Sequence, residues 1–67
     1  MRKVALTRQQ RELLQILSKG PKQKAELRHL SSALTDLLSK GAIWYSAELG
    51  EVQLTERGKT ALESGYL

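Results

Sequence analysis

Two stretches of this chain end a helix in almost the same letters. Leu17-Ser18-Lys19-Gly20 and Leu38-Ser39-Lys40-Gly41 each put a cation in a last turn and a glycine just beyond it. Pro21 follows the first stop and forbids continuation. The chain has only 67 residues. Two stops placed this way leave room for short helices, which must fold back on each other to close a core. The shared letters mark two helix ends, not a structural repeat.

The first helix reads as Arg8–Lys19. Thr7 is a natural N-cap, and Gln10 three residues later completes a capping box. Leu13, Ile16 and Leu17 share one helical face, with Leu14 at its edge. The stretch from Pro21 to Lys40 permits two readings. Leu27, Leu30, Leu34 and Leu37 recur at spacings of three and four, which one helix would satisfy. Ser31-Ser32 and the need to close a core favour a break near His29–Ser32. The second helix then spans Lys22–Arg28. The third spans Ala33–Lys40 and is capped by Ser31 or Ser32.

After Gly41 the pattern changes. Ala42-Ile43-Trp44-Tyr45 is β-branched and aromatic, and Val52-Gln53-Leu54 alternates with period two. Glu48-Leu49-Gly50-Glu51 supplies a turn, so the segment reads as a β-hairpin. Ile43 and Tyr45 share one strand face, assigned to the core. Trp44 lies on the other face. It either serves as an outward platform or packs under the N-terminal segment or last helix, as tryptophans more often do. Thr55 caps a last helix, Glu56–Glu63, which buries Ala61 and Leu62 and stops at Gly65. Lys3–Leu6 could add a third strand at the hairpin edge. The expected core is Leu13, Ile16, Leu17, Leu27, Leu34, Leu37, Ile43, Val52, Leu54 and Leu62.

Two segments then carry a resemblance. Leu37-Leu38-Ser39-Lys40-Gly41-Ala42-Ile43 looks like the helix end, glycine and apolar strand that close a recognition helix. Leu54-Thr55-Glu56-Arg57-Gly58-Lys59-Thr60-Ala61-Leu62 resembles the segment after the wing in bacterial winged helix-turn-helix regulators of the multiple-antibiotic-resistance and phenolic-acid-decarboxylase groups. The resemblance runs from Thr7 to Leu62. It implies one α+β, mainly α domain over residues 1–67, with a three-helix core, a β-hairpin wing and a short C-terminal helix. The chain departs from those regulators in lacking long flanking dimerisation helices. Its span from Pro21 to Gly41 is also short, so one of the two helices must be curtailed.

Charge is unevenly placed. Residues 1–40 hold nine Lys and Arg against three acids, and residues 41–67 hold two against four, within a formal total of +4. A basic portion beside an acidic one suits a polyanionic partner. Lys22, Lys24 and Arg28 form a phosphate-binding set, with 24 and 28 neighbours at i,i+4 on a helix. Arg2 and Lys3 form a basic arm. Arg8 and Arg11 lie three apart on the first helix, and Lys19 ends it. The resemblance would lay the third helix in the major groove, offering Ser31, Ser32, Thr35, Asp36, Ser39 and Lys40. That face lacks the Arg, Asn and Gln that read base edges in pairs of hydrogen bonds, and it reads equally well as a solvated surface. Glu48 and Glu51 make the wing tip acidic, which argues against phosphate contact there.

The same residues set other classes aside. His29 is the only histidine and there is no cysteine, so no metal cluster, disulfide or cofactor site is expected. No nucleophile–base pair or phosphate-binding glycine loop is present, so the chain is not expected to be an enzyme. The opening residues lack a signal peptide's apolar stretch, and a cytoplasmic setting without membrane contact is expected. The sequence therefore points to a small basic DNA-binding protein, a transcription regulator or mobile-element accessory factor, with homodimerisation possible. The rival is a protein-interaction module using Trp44, the acidic wing and the Gly65-Tyr66-Leu67 tail. RNA binding comes third, since no aromatic ribonucleoprotein signature is present.

Overall fold

The computed structural model describes residues 4–67. In chain order these form α1 (Arg8–Ser18), β1 (Lys22–Gln23), a 3₁₀ segment (Lys24–Leu30), α2 (Ser31–Ser39), β2 (Ile43–Ser46), β3 (Glu51–Leu54) and α3 (Glu56–Ser64). The strands make one antiparallel sheet in the order β1-β3-β2. The class is α+β, with helix dominant.

α1 begins where its capping residues dictate. The Gln10 N–H donates to Thr7 Oγ1 at 3.1 Å, and the Thr7 N–H donates to Gln10 Oε1 at 3.0 Å. Both bonds satisfy donors that a helix start leaves orphaned. Gln10 is buried by this role, an unusual position for a polar side chain. Helix α1 packs against α2, α3, β3 and the 3₁₀ segment, while Arg8, Gln9, Arg11, Glu12, Gln15 and Ser18 stay exposed along its other side. Its buried face is Gln10, Leu13, Leu14 and Leu17, so Leu14 lies within the apolar stripe and the half-buried Ile16 at its edge, the reverse of the expected order.

The expected second helix over Lys22–Arg28 does not form. Lys22 and Gln23 instead pair with Val52 and Glu51 as β1. The Gln23 side-chain amide donates to the Leu49 carbonyl at 3.3 Å, tying this strand to the hairpin turn. Seven residues remain before α2, and they form a 3₁₀ helix, which rises more per residue than an α-helix. The chain is curtailed here, in the second helix. Its backbone leaves helical values at Leu27 (φ −105°, ψ 18°) and again at Leu30 (φ −117°, ψ 27°). The departure at Leu30 falls inside the expected window and the one at Leu27 precedes it, but no serine caps the helix that follows. Ser31 is already helical, and Leu30 holds the cap position without a side-chain hydrogen bond.

Gly41 ends α2 at φ +75°, a conformation that a β-carbon disfavours. The hairpin follows with Ile43 opposite Leu54, Trp44 opposite Gln53, Tyr45 opposite Val52 and Ser46 opposite Glu51. Leu54 to Gly58 then lock the end of α2 to the start of α3. The Thr55 N–H donates to the Ala42 carbonyl at 3.1 Å. The Thr55 hydroxyl donates to the Gly41 carbonyl at 2.7 Å while accepting from the Gly58 N–H at 3.1 Å. The Arg57 guanidinium donates to the Lys40 carbonyl at 3.2 Å. Gly58 is buried against this joint.

The third strand does not come from the N-terminal segment. Of the expected Lys3–Leu6, Lys3 lies outside the described residues. Val4 and Leu67 exchange hydrogen bonds at 3.1 and 2.9 Å, Leu6 N–H donates to the Gly65 carbonyl at 2.9 Å, and Ala5 bridges Tyr66. The segment pairs with the chain's tail, where Leu6 joins the core.

Leu13, Leu17, Leu27, Leu34, Leu37, Ile43 and Val52 are buried as expected, whereas Ile16, Leu54 and Leu62 are partly buried against them. Leu30, Ala33, Ala42 and Ala61 complete the core. Tyr45 is not part of it. It shares the core-side face with Ile43, but on the edge strand β2 it is 40% exposed, whereas Val52 opposite it on the inner strand is buried. Trp44 is 47% exposed, so the packed alternative for that residue does not hold.

Candidate nucleic-acid interface

The corner between the 3₁₀ segment and α2 brings together two of the basic residues singled out from sequence, Lys24 and Arg28. Lys24, Ala25, Leu27, Arg28, Ser31 and Leu34 line an open groove of about 310 Å³. Its floor is the buried Leu27 and Leu34, and its exposed rim carries Lys24, Arg28 and Ser31. The non-helical backbone at Leu27 replaces the regular i,i+4 relation expected of Lys24 and Arg28. The two cations nevertheless border one concavity.

Lys24 is positioned twice. Its N–H donates to the Gly50 carbonyl at 3.0 Å, and its ammonium lies 5.1 Å from the centre of the Tyr45 ring. That distance is within cation–π range, worth about 0.5–1 kcal/mol at an exposed site. Lys22 is on β1 rather than a helix. It lies opposite Val52, which lies opposite Tyr45, so these three residues share one sheet face in consecutive strands. Lys22, Lys24 and Arg28 are all exposed.

The outward side of α2 carries Ser31, Ser32, Thr35, Asp36, Ser39 and Lys40, every one exposed. Two of its hydroxyl protons are committed to the helix itself. Thr35 donates to the Ser31 carbonyl at 3.1 Å, and Ser39 donates to the Asp36 carbonyl at 2.8 Å. These hydroxyls can still accept a hydrogen bond, but they do not present a free donor. Arg2 and Lys3, the proposed basic arm, lie outside the described residues.

Sequence reasoning missed Tyr45 as part of this surface. Alternation placed it correctly on the face of Ile43, but no local signal shows that a strand is an edge. It also missed that Arg57 is committed to the Lys40 carbonyl rather than free for a ligand.

The hairpin has a different character. Glu48 stands exposed in its turn and Glu51 is partly exposed at the start of β3. Trp44, Tyr45 and Leu49 are exposed beside them, Leu49 by 59%. Among the described residues no three His, Asp or Glu side chains converge as a metal site would require. Among them, too, no helix is long and apolar enough to cross a membrane. Comparison with protein-family models, curated proteins and solved structures finds no match.

Proposed function

We propose that this chain is a small DNA-binding protein of the winged helix-turn-helix type, acting in transcription regulation or as a mobile-element accessory factor, and that it binds rather than catalyses. The observation carrying this reading is the placement of Lys24 and Arg28 around one groove, at the corner where the exposed polar side of α2 begins. Two helical elements meeting at Leu30, followed by a hairpin and a last helix, support the same reading. Lys22, Lys24 and Arg28 contact phosphates, and α2 lies along the major groove. Phosphate contacts orient a protein on a duplex without reading its sequence. The bland face of α2 therefore goes with affinity that varies little between sequences.

Fluorescence anisotropy on a labelled duplex across several salt concentrations tests this. Log K falls with log salt at a slope of about −0.9 per phosphate contact. Replacing Lys22, Lys24 and Arg28 with Ala weakens binding and flattens the slope by up to about three contacts' worth. A folded wild-type protein that shows no salt-dependent binding at low salt overturns the proposal. The exposed Trp44, Tyr45 and Leu49 favour a second reading, a protein-interaction module. On that reading the basic-residue variant keeps its partner and hairpin variants lose it.

A further inference from the structure

β2 is an edge strand. The order β1-β3-β2 leaves one side of Ile43–Ser46 without a strand partner among the described residues. Two hydrogen bonds identify the groups on that open side. The Ala42 carbonyl accepts from Thr55, and the Ser46 carbonyl accepts from Gly50, so both turn inward toward β3 and its turn. Backbone groups alternate along an antiparallel strand. Trp44 therefore also turns inward, and Ile43 and Tyr45 turn their N–H and C=O groups outward.

Soluble proteins usually protect such an edge with a charge, a proline or a bulge. Ile43-Trp44-Tyr45-Ser46 has neither charge nor proline, and it pairs with β3 without a register break. Trp44 and Tyr45 are both substantially exposed, on opposite faces of the sheet. A strand added here would be covered by an aromatic ring on each side.

We propose that β2 pairs antiparallel with β2 of a second copy, about a twofold axis at Trp44, joining the two sheets into one. The alternation limits the register, because outward groups must meet outward groups. With the axis at Trp44, Ile43 of each copy exchanges hydrogen bonds with Tyr45 of the other. Trp44 meets Trp44 of the second copy across the closer, non-hydrogen-bonded pair, on the outer face of the sheet. The same register brings Lys40, just before the strand, to the end where Glu48 of the second copy follows its strand. Symmetry repeats that contact at the other end. Lys40 and Glu48 are both exposed, and the only ion pair among the described residues joins Lys59 to Glu56. Opposite charges thus stand at the two ends of an uncharged strand, in the order that antiparallel self-pairing matches. This inference is independent of the DNA reading.

The chain has no cysteine, so single cysteines can report the register. Residues facing across a non-hydrogen-bonded antiparallel pair have Cα atoms about 4.5 Å apart, within the disulfide range of about 4.4–6.8 Å. Trp44→Cys is expected to form a covalent dimer under mild oxidation. Gln53→Cys, on the same face but one strand farther from the axis, is expected to stay monomeric. Sedimentation of the wild-type full chain without DNA should show a mass rising from monomer toward dimer with concentration. Lys40→Glu and Glu48→Lys should each lower the association constant by about tenfold, and the double variant should restore it. Tyr45→Pro removes an outward N–H and should abolish association. If that variant fails to fold, the exposed Lys40 and Glu48 variants decide the matter. A wild type monomeric at every concentration overturns the proposal. So do equal cross-linking by both cysteines and an association indifferent to the charge exchange.

Discussion

Gly58 lies so close to Ala42 that a β-carbon on Gly58 would overlap the Ala42 carbonyl oxygen and come within 2.7 Å of Leu54 Cδ1. The oxygen belongs to backbone already held by Thr55, so it cannot move aside cheaply. Gly58→Ala is therefore expected to destabilise the protein by at least about 1–3 kcal/mol, although alanine is the better helix former. Lys59→Ala, next along the same helix and exposed, should shift stability by less than about 0.5 kcal/mol. Urea denaturation of the two variants makes the comparison.

The Thr7–Gln10 box predicts a coupled loss. Thr7→Ala should cost about 1 kcal/mol. Gln10→Ala should also destabilise, since it leaves the Thr7 N–H without its acceptor. The double variant should cost less than the sum, because each change breaks part of one unit. A double-mutant cycle by thermal or urea unfolding measures the coupling, and strict additivity would contradict it.

Core and surface leucine-sized contacts should separate sharply. Leu37 is wholly buried on α2, a helix that packs against α1, the 3₁₀ segment and β2, and Leu37→Ala should cost about 2–5 kcal/mol. That is a large share of the stability of a small domain. Leu49→Ala removes a side chain that is 59% exposed and should leave the denaturant midpoint almost unchanged.

Backbone chemical shifts should mark the path from β1 to α2. Extended values at Lys22 and Gln23, then departures from helical values at Leu27 and Leu30, are expected. An uninterrupted helix from Lys24 to Lys40 would remove the corner that holds Lys24 and Arg28 around one groove.

At the proposed interface, Glu48→Gln with Glu51→Gln should change duplex binding little, or strengthen it slightly. Both carboxylates belong to the hairpin rather than to the basic corner, and removing like charge lowers repulsion of phosphate. Anisotropy at low salt, at a protein concentration where sedimentation finds wild type and variant in the same association state, checks this, and a marked loss of affinity would move the binding surface to the hairpin.

The helix ends were readable because their signals are local. Thr7 with Gln10, Thr55 with Gly58, and the glycines after Lys19 and Lys40 act within a few residues of each other. β1 was not readable, because nothing in Lys22-Gln23 alternates. Its extended form comes from Val52 and Glu51, far along the chain. The same separation explains Tyr45. Its face follows from alternation with Ile43, but its exposure follows from β2 being at the sheet edge. Lys24 and Arg28 were recognisable as a basic pair, whereas the groove between them depends on the backbone at Leu27. Leu14 shows a related effect: the neighbours of α1 centre its buried face on Leu13, Leu14 and Leu17 and leave Ile16 at the edge, which the spacing of apolar residues alone does not decide.

The pairing of Val4 with Leu67 makes the fold nearly a closed loop. A short linker could join these two positions without crossing the molecule, and the chain could be reopened at the exposed Ala47–Leu49 turn. Such a circular permutant would keep α1, the joint at Gly58 and the basic corner, but begin and end at the hairpin. For the same reason the fold suits insertion into a surface loop of a host protein, because its entry and exit points lie side by side.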